Sequence, residues 1–174
     1  MKIRNGFVSN SSSSSFIVAF KKVPKSVAEM QKMLFGDEPY YKNPYYYPED
    51  KEYGSEPSWY AEEVSARVFK DMKNIVPPEE IEEELKNGYI VDDFAPEYND
   101  FSSSTIGDDW EKRHDKWRKA MEKYAESVAK DFIKDNPEAT FYIFTYSDND
   151  GPLHTALEHG NLFNKLPHVK VGNH

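Results

Sequence analysis

Five consecutive apolar residues, Phe16-Ile17-Val18-Ala19-Phe20, show no alternation with polar side chains, and no other stretch constrains the fold as much. A strand with one wet face alternates, whereas an unbroken run of β-branched and aromatic residues suits a strand covered on both faces. A second run, Thr140-Phe141-Tyr142-Ile143-Phe144-Thr145-Tyr146, has the same character and is placed beside the first at the centre of one sheet. At 174 residues the chain has room for one such core and little for two. The sequence therefore predicts a single α/β domain spanning 1–174, with a mixed β-sheet covered by helices.

The helices are legible from spacing and caps. Ser26 and Glu29 have the spacing of a capping box, Val27, Met30 and Leu34 share a helical face, and Gly36 suits the left-handed residue at the end. Between 37 and 57, four prolines interrupt six tyrosines, which predicts an aromatic loop. Ser58 is then expected to cap a helix carrying Tyr60, Val64, Val68, Met72 and Ile75 on one face, ending at Pro77-Pro78. A short helix with Ile81 and Leu85 follows, then a strand over 89–94; these segments form a helical and loop insertion over about 37–88. The longest helix is expected over about 109–135, with Trp110, Trp117, Met121, Val128 and Phe132 in one stripe. A turn at 147–151, a short helix at 153–160 and a last strand at 168–171 complete the chain, and Ile3 with Phe7-Val8 would pair with the strand at 16–20 as a hairpin.

That hairpin makes the five serines at 11–15 a loop. Exposed N–H groups and hydroxyls from Ser9, Asn10, Ser11, Ser12 and Ser13 are suited to an anion, although the G-x-x-x-x-G-K-[ST] pattern is absent and a strand follows where a phosphate loop needs a helix. The alternative is a loop whose hydroxyls satisfy its own backbone. Asp148, Asp150, His154, Glu158 and His159 are the second constellation. His154 and Glu158 lie four apart on one helical face and, with an aspartate, have donor types suited to a metal ion. Neither H-E-x-x-H nor an EF-hand register is met, so no metal is assigned; the plainer reading has Asp150 capping the helix and His159 at its negative end. A serine triad with Ser11 or Ser13 and one of His154, His159, His168 or His174 lacks the G-x-S-x-G elbow.

Charge narrows the function classes. A formal charge of −9 disfavours general nucleic-acid binding, which needs Lys and Arg against phosphates. The absence of cysteine removes disulfides and thiolate chemistry and fits a reducing compartment. Without an apolar leader core or a run of roughly 20 apolar residues, a cytoplasmic chain without a membrane segment is expected. From Glu79 to Asp109 there are eleven acidic residues against the single basic Lys86. Together with Tyr45, Tyr46 and Tyr47, the acids Glu82, Glu83, Glu84, Asp92 and Asp93 are candidates for contact with a protein partner, a basic one by charge. No cofactor is implied.

The opening Met1-Lys2-Ile3-Arg4-x-Gly6-Phe7-Val8-Ser9-Asn10 with its serines and Phe16 resembles the start of a group of small proteins encoded by tailed bacteriophages and some bacteria. The segment from Tyr146-Ser147-Asp148 through Glu158-His159-Gly160, with Phe163 and the terminal Asn173-His174, is similar to the end of longer members, and the helix near 24–35 is shared. The resemblance implies a phage or prophage origin and transfers no catalytic residue. Three functions are expected in descending order. The first is an accessory protein, without chemistry of its own, that binds a host or phage factor. The second is a small hydrolase or nucleotide-processing enzyme using the serines with Asp148, Asp150, His154 and Glu158, and the third is a structural component of the virion.

Overall fold

A computed structural model describes residues 13–44, 46, 57–97 and 110–173. Strand β1 (Ser13–Phe20) is the middle of a five-stranded sheet. It lies between β6 (Thr140–Ser147) and β7 (His168–Asn173), while β4 (Asn74–Val76) and β5 (Tyr89–Ile90) form the edges, in the order β4-β6-β1-β7-β5. Phe16 faces Phe144 and Lys170 across the register, and Ile17 faces Ile143 and Val169.

Alternation across β1 divides the core in two. Phe16, Val18 and Phe20 join Tyr142, Phe144 and Tyr146 under helices α1 (Val27–Leu34), α2 (Ala61–Asp71) and α5 (Pro152–His159). Ile17 and Ala19 join Phe141 and Val171 under α3 (Ile81–Lys86) and α4 (Trp110–Asp135). The unbroken apolar run is thus the signature of helices on both faces, and burying each large side chain contributes about 1.5–3 kcal/mol. A second sheet pairs β2 (Tyr40–Lys42) with β3 (Ser58–Tyr60) and packs Tyr41 into the first core.

The α/β class and the single domain agree with the sequence, but among the described residues every strand pair of this sheet is antiparallel where a mixed sheet is expected. The pairings give β1, β4 and β5 one direction and β6 and β7 the other. The helix-linked early strands do run parallel; β6 and β7 then insert between them, so no two neighbours agree in direction.

Local departures have local causes. Ser13, Ser14 and Ser15 belong to β1 and are not a loop, because pairing with β6 and β7 supplies both rows of backbone partners. Ile3, Phe7, Val8, Ser9, Asn10, Ser11 and Ser12 lie outside the described residues, as do Tyr45, Tyr47 and His174. Ser58 lies in β3, and the N-cap of α2 is Tyr60 with no side-chain cap bond. That helix stops at Asp71, since Ile75 and Val76 before Pro77 favour extended backbone and pair with Tyr142 and Phe141. The expected insertion thereby supplies the β4 edge of the main sheet. Its Tyr40, Tyr41 and Lys42 form a strand where a loop is expected. The strand expected over 89–94 ends at Ile90, where the chain bends. Trp110 lies off the stripe of α4, 59 % exposed, and Ala125 and Ala129 take the buried positions with Met121.

Candidate functional site

Two places gather the residues that the sequence singles out. The first is where Ser13 of β1 meets Ser147 of β6, beside the Asp148–Asp150 turn that leads into α5. Pairing places Ser14 between Tyr146 and Gly172, on the face covered by α5, and both Ser14 and Tyr146 are buried. Ser13 and Ser15 belong to the opposite face by strand alternation, and Ser15 shares a hydrogen bond with the Thr145 hydroxyl at 3.0 Å. Ser13 is therefore across the sheet from His154, whereas Ser14, which spacing alone does not distinguish from its neighbours, lies on the histidine side.

Helix α5 presents its polar residues inward. His154 is buried edge-on against the Tyr146 ring, with centroids 5.8 Å apart, and its Nδ1 is 3.3 Å from Asp150 Oδ2. Asp150 thus meets a side chain instead of capping the helix; the N-cap is Gly151, whose φ of +101° favours glycine. Glu158 is 1 % exposed, with one carboxylate oxygen 3.6 Å from His159 Nε2. Lys170 donates to the Glu158 carbonyl at 2.6 Å and lies 5.4 Å from the centre of the Phe16 ring. Burial lowers the Lys170 ammonium from its ordinary range while Glu158 opposes that shift. Burial pushes the Tyr89 hydroxyl up, and the charge of Glu158 adds to it. Tyr146 is driven far above the usual tyrosine range by burial, with a further push from Asp71. Its hydroxyl has no hydrogen-bond partner.

His168 is remote from this cluster in register: it pairs with Val18, four residues along β1 from Ser14, and its ring packs on Phe16 and Phe163. Its Nδ1 lies 3.0 Å from the Leu166 carbonyl. Among the described residues no three His, Asp or Glu side chains are grouped to hold a metal ion, because His154 turns to Asp150 and Glu158 to His159. No described helix is long and apolar enough to cross a membrane.

The second place is the acidic turn after β5. Asp92 accepts hydrogen bonds from the Tyr124 hydroxyl at 2.8 and 2.9 Å and from the Phe94 backbone N–H at 2.8 Å. Trp117 Nε1 donates to the Pro96 carbonyl at 2.8 Å, so the turn is fastened to α4 at both ends. Between these ties Phe94 stands 85 % exposed beside Val91, 44 % exposed. Desolvation, then the bond and charge of Asp92, push the Tyr124 hydroxyl up to about 12, so it remains a donor at neutral pH. Helix α3 is tied to α4 through Lys86, which binds Glu82 at 2.6 Å and Glu126 at 3.2 Å. The bonds to Glu82 and Glu126 raise the Lys86 ammonium; Glu83 and Asp93 are exposed and Glu84 is half-buried.

No protein-family model matches the chain, and no curated protein or solved structure matches it. Function therefore rests on these geometries. Tyr46, at the edge of the tyrosine segment, is 38 % exposed. Phe94 escaped the sequence reading because an apolar residue ending an apparent strand reads as core; its neighbours Asp92 and Asp93 were the available signal.

Proposed function

We propose that the protein acts by binding a basic protein partner through the acidic face of α3, Asp93 and α4, with Phe94 as the apolar anchor and with no chemistry of its own. The resemblance of its termini to phage-encoded proteins supports an accessory role toward a host or phage factor. One observation carries the reading: a phenylalanine 85 % exposed on a turn tethered by three donors, the Phe94 N–H, the Trp117 indole N–H and the Tyr124 hydroxyl. An aromatic that is costly to leave in water, held on a tethered turn directly after Asp92 and Asp93, suits an apolar pocket bordered by lysine or arginine. Asp92 serves the turn itself, so the acids offered to a partner are the exposed Glu83 and Asp93 and the half-buried Glu84.

Affinity capture from host lysate, quantified for the wild type, Phe94→Ala and the triple variant Glu83→Lys, Glu84→Lys, Asp93→Lys, tests it. Both variants are expected to lose at least tenfold in recovery of the same proteins, which is about 1.4 kcal/mol. Equal recovery by all three forms would overturn the proposal.

The second reading, an enzyme, is supported by the nearness of a carboxylate to an imidazole, Asp150 Oδ2 lying 3.3 Å from His154 Nδ1, although that nitrogen makes no hydrogen bond. The burial of Ser14, Tyr146, His154 and Glu158 favours a packing role within the core instead. Incubation with p-nitrophenyl acetate and with nucleoside triphosphates separates the two: turnover abolished by His154→Gln would favour the enzyme.

A further inference from the structure

The solvent face of α4 carries a row of lysines. At about 100° per residue, Lys112, Lys116, Lys119, Lys123, Lys130 and Lys134 fall within about 60° of one another around the helix, and that sector holds no other residue. All six are exposed, on the side away from the buried Met121, Ala125 and Ala129. At about 1.5 Å per residue, the row runs for about 33 Å.

The chain does not balance this row. Among the described residues, Lys116, Lys119, Lys123, Lys130 and Lys134 form no hydrogen bond or ion pair. Glu111, Asp115, Glu122 and Glu126 occupy the adjoining sector, but most of them are engaged elsewhere. Asp115 and Glu122 meet Arg118 at 3.2 and 3.9 Å, and Glu126 meets Lys86 at 3.2 Å. Like charges four residues apart repel along a helix, and the row sets Lys112 by Lys116, Lys119 by Lys123 and Lys130 by Lys134. An anionic surface outside the chain relieves that repulsion.

The shape of the row selects among polyanions. A line of charges along the crest of one helix meets a flat surface over its whole length. A nucleic-acid duplex curves away from such a line, and seating α4 in its major groove would bring the flanking acids against the phosphates of one wall. Lysine is a hydrated point charge on a flexible stem, without the fixed fork of arginine, which suits laterally mobile lipid headgroups. The net charge of −9 opposes any anionic surface, so the attraction is confined to about a Debye length, 8 Å at physiological salt.

We propose that α4 lays this row on the surface of an anionic lipid bilayer, at headgroup level and without insertion. Each lysine brought to such a surface strengthens binding about fivefold, so five supply roughly three orders of magnitude. The contact is peripheral and reversed by salt. It does not rest on the partner reading, which uses Phe94 with the acids of α3 and the turn.

Flotation of the full chain with unilamellar vesicles tests it, comparing phosphatidylcholine alone with phosphatidylcholine holding about 30 % phosphatidylserine, in about 0.05 and 0.5 M salt. Binding is expected to the anionic vesicles at low salt and to be lost at high salt. The triple variant Lys116→Glu, Lys119→Glu, Lys123→Glu should lose at least about a hundredfold in partition, and Lys130→Gln with Lys134→Gln about twentyfold. Both should keep the wild-type far-UV circular dichroism. The control Lys21→Glu, Lys25→Glu, Lys32→Glu carries the same change in net charge in and before α1, which covers the opposite face of the sheet. It should keep most of the binding. The proposal fails if the wild type does not float with anionic vesicles, if neutral vesicles bind it equally, or if the control loses as much as the row variants. A DNA duplex bound more tightly than the anionic vesicles at the same salt would assign the row to nucleic acid and overturn it.

Discussion

Tyr146 shows how one residue can carry opposite costs. Its ring fills the core between Phe16 and His154, yet its hydroxyl is buried without a hydrogen-bond partner, which costs about 1–3 kcal/mol. Tyr146→Phe keeps the ring and removes the cost, so urea denaturation should show no loss of stability and a gain of up to about 1 kcal/mol. The sign with pH follows from the same burial. Tyr146 and Tyr124 both hold their protons more tightly in the folded state than the unfolded value of about 10. Above that pH the unfolded chain binds fewer protons than the folded one, so stability falls as pH rises. For Tyr124 the contribution is complete below about pH 10 and lost as pH rises through about 12. The urea midpoint should therefore decline from about pH 10 upward, less steeply in Tyr146→Phe. Spacing identified Tyr146 as a strand residue; only the packing of α5 made its hydroxyl an orphan.

Helix α1 is the element that its own residues specify most fully. Ser26 Oγ accepts from the Glu29 N–H at 3.2 Å as the capping-box spacing requires, while the Glu29 carboxylate takes the Lys25 N–H at 2.7 Å. Met30 and Leu34 are buried, and Gly36 takes the left-handed conformation at the end. Ser26→Ala is expected to cost about 1 kcal/mol, read from the shift in urea midpoint with an unchanged slope. Helix α2 is the contrast: its apolar period runs on through Met72 and Ile75, but the chain leaves the helix at Met72 to form β4. A three-residue edge strand carries too short a pattern to read, and its existence depends on β6, some 65 residues later. The serines fail to read for the same reason. Five in a row look like loop until β6 and β7 pair with three of them.

At the scale of the molecule, a net charge of −9 sets the expected behaviour of the acidic face. Association with a basic partner should slow as salt rises from about 0.05 to 0.5 M, because screening removes long-range steering, while dissociation changes less. Stopped-flow or surface binding kinetics would measure this, and Phe94→Ala should do the reverse, raising the off-rate with little change in the on-rate. The α/β class, the central pair of buried strands and the helices near 27–34, 81–86 and 110–135 were determined by local pattern alone, since apolar period and caps act within a few residues. Strand direction, the β4 edge, the serine strand and the Phe94 turn were decided by the tertiary structure. Each depends on backbone partners or tethers distant in sequence: β6 and β7 inserting between earlier strands, and α4 supplying Tyr124 and Trp117 to hold the acidic turn. The pairing of His154 with Asp150 is local in sequence, but its burial against Tyr146 required the sheet to be assembled first.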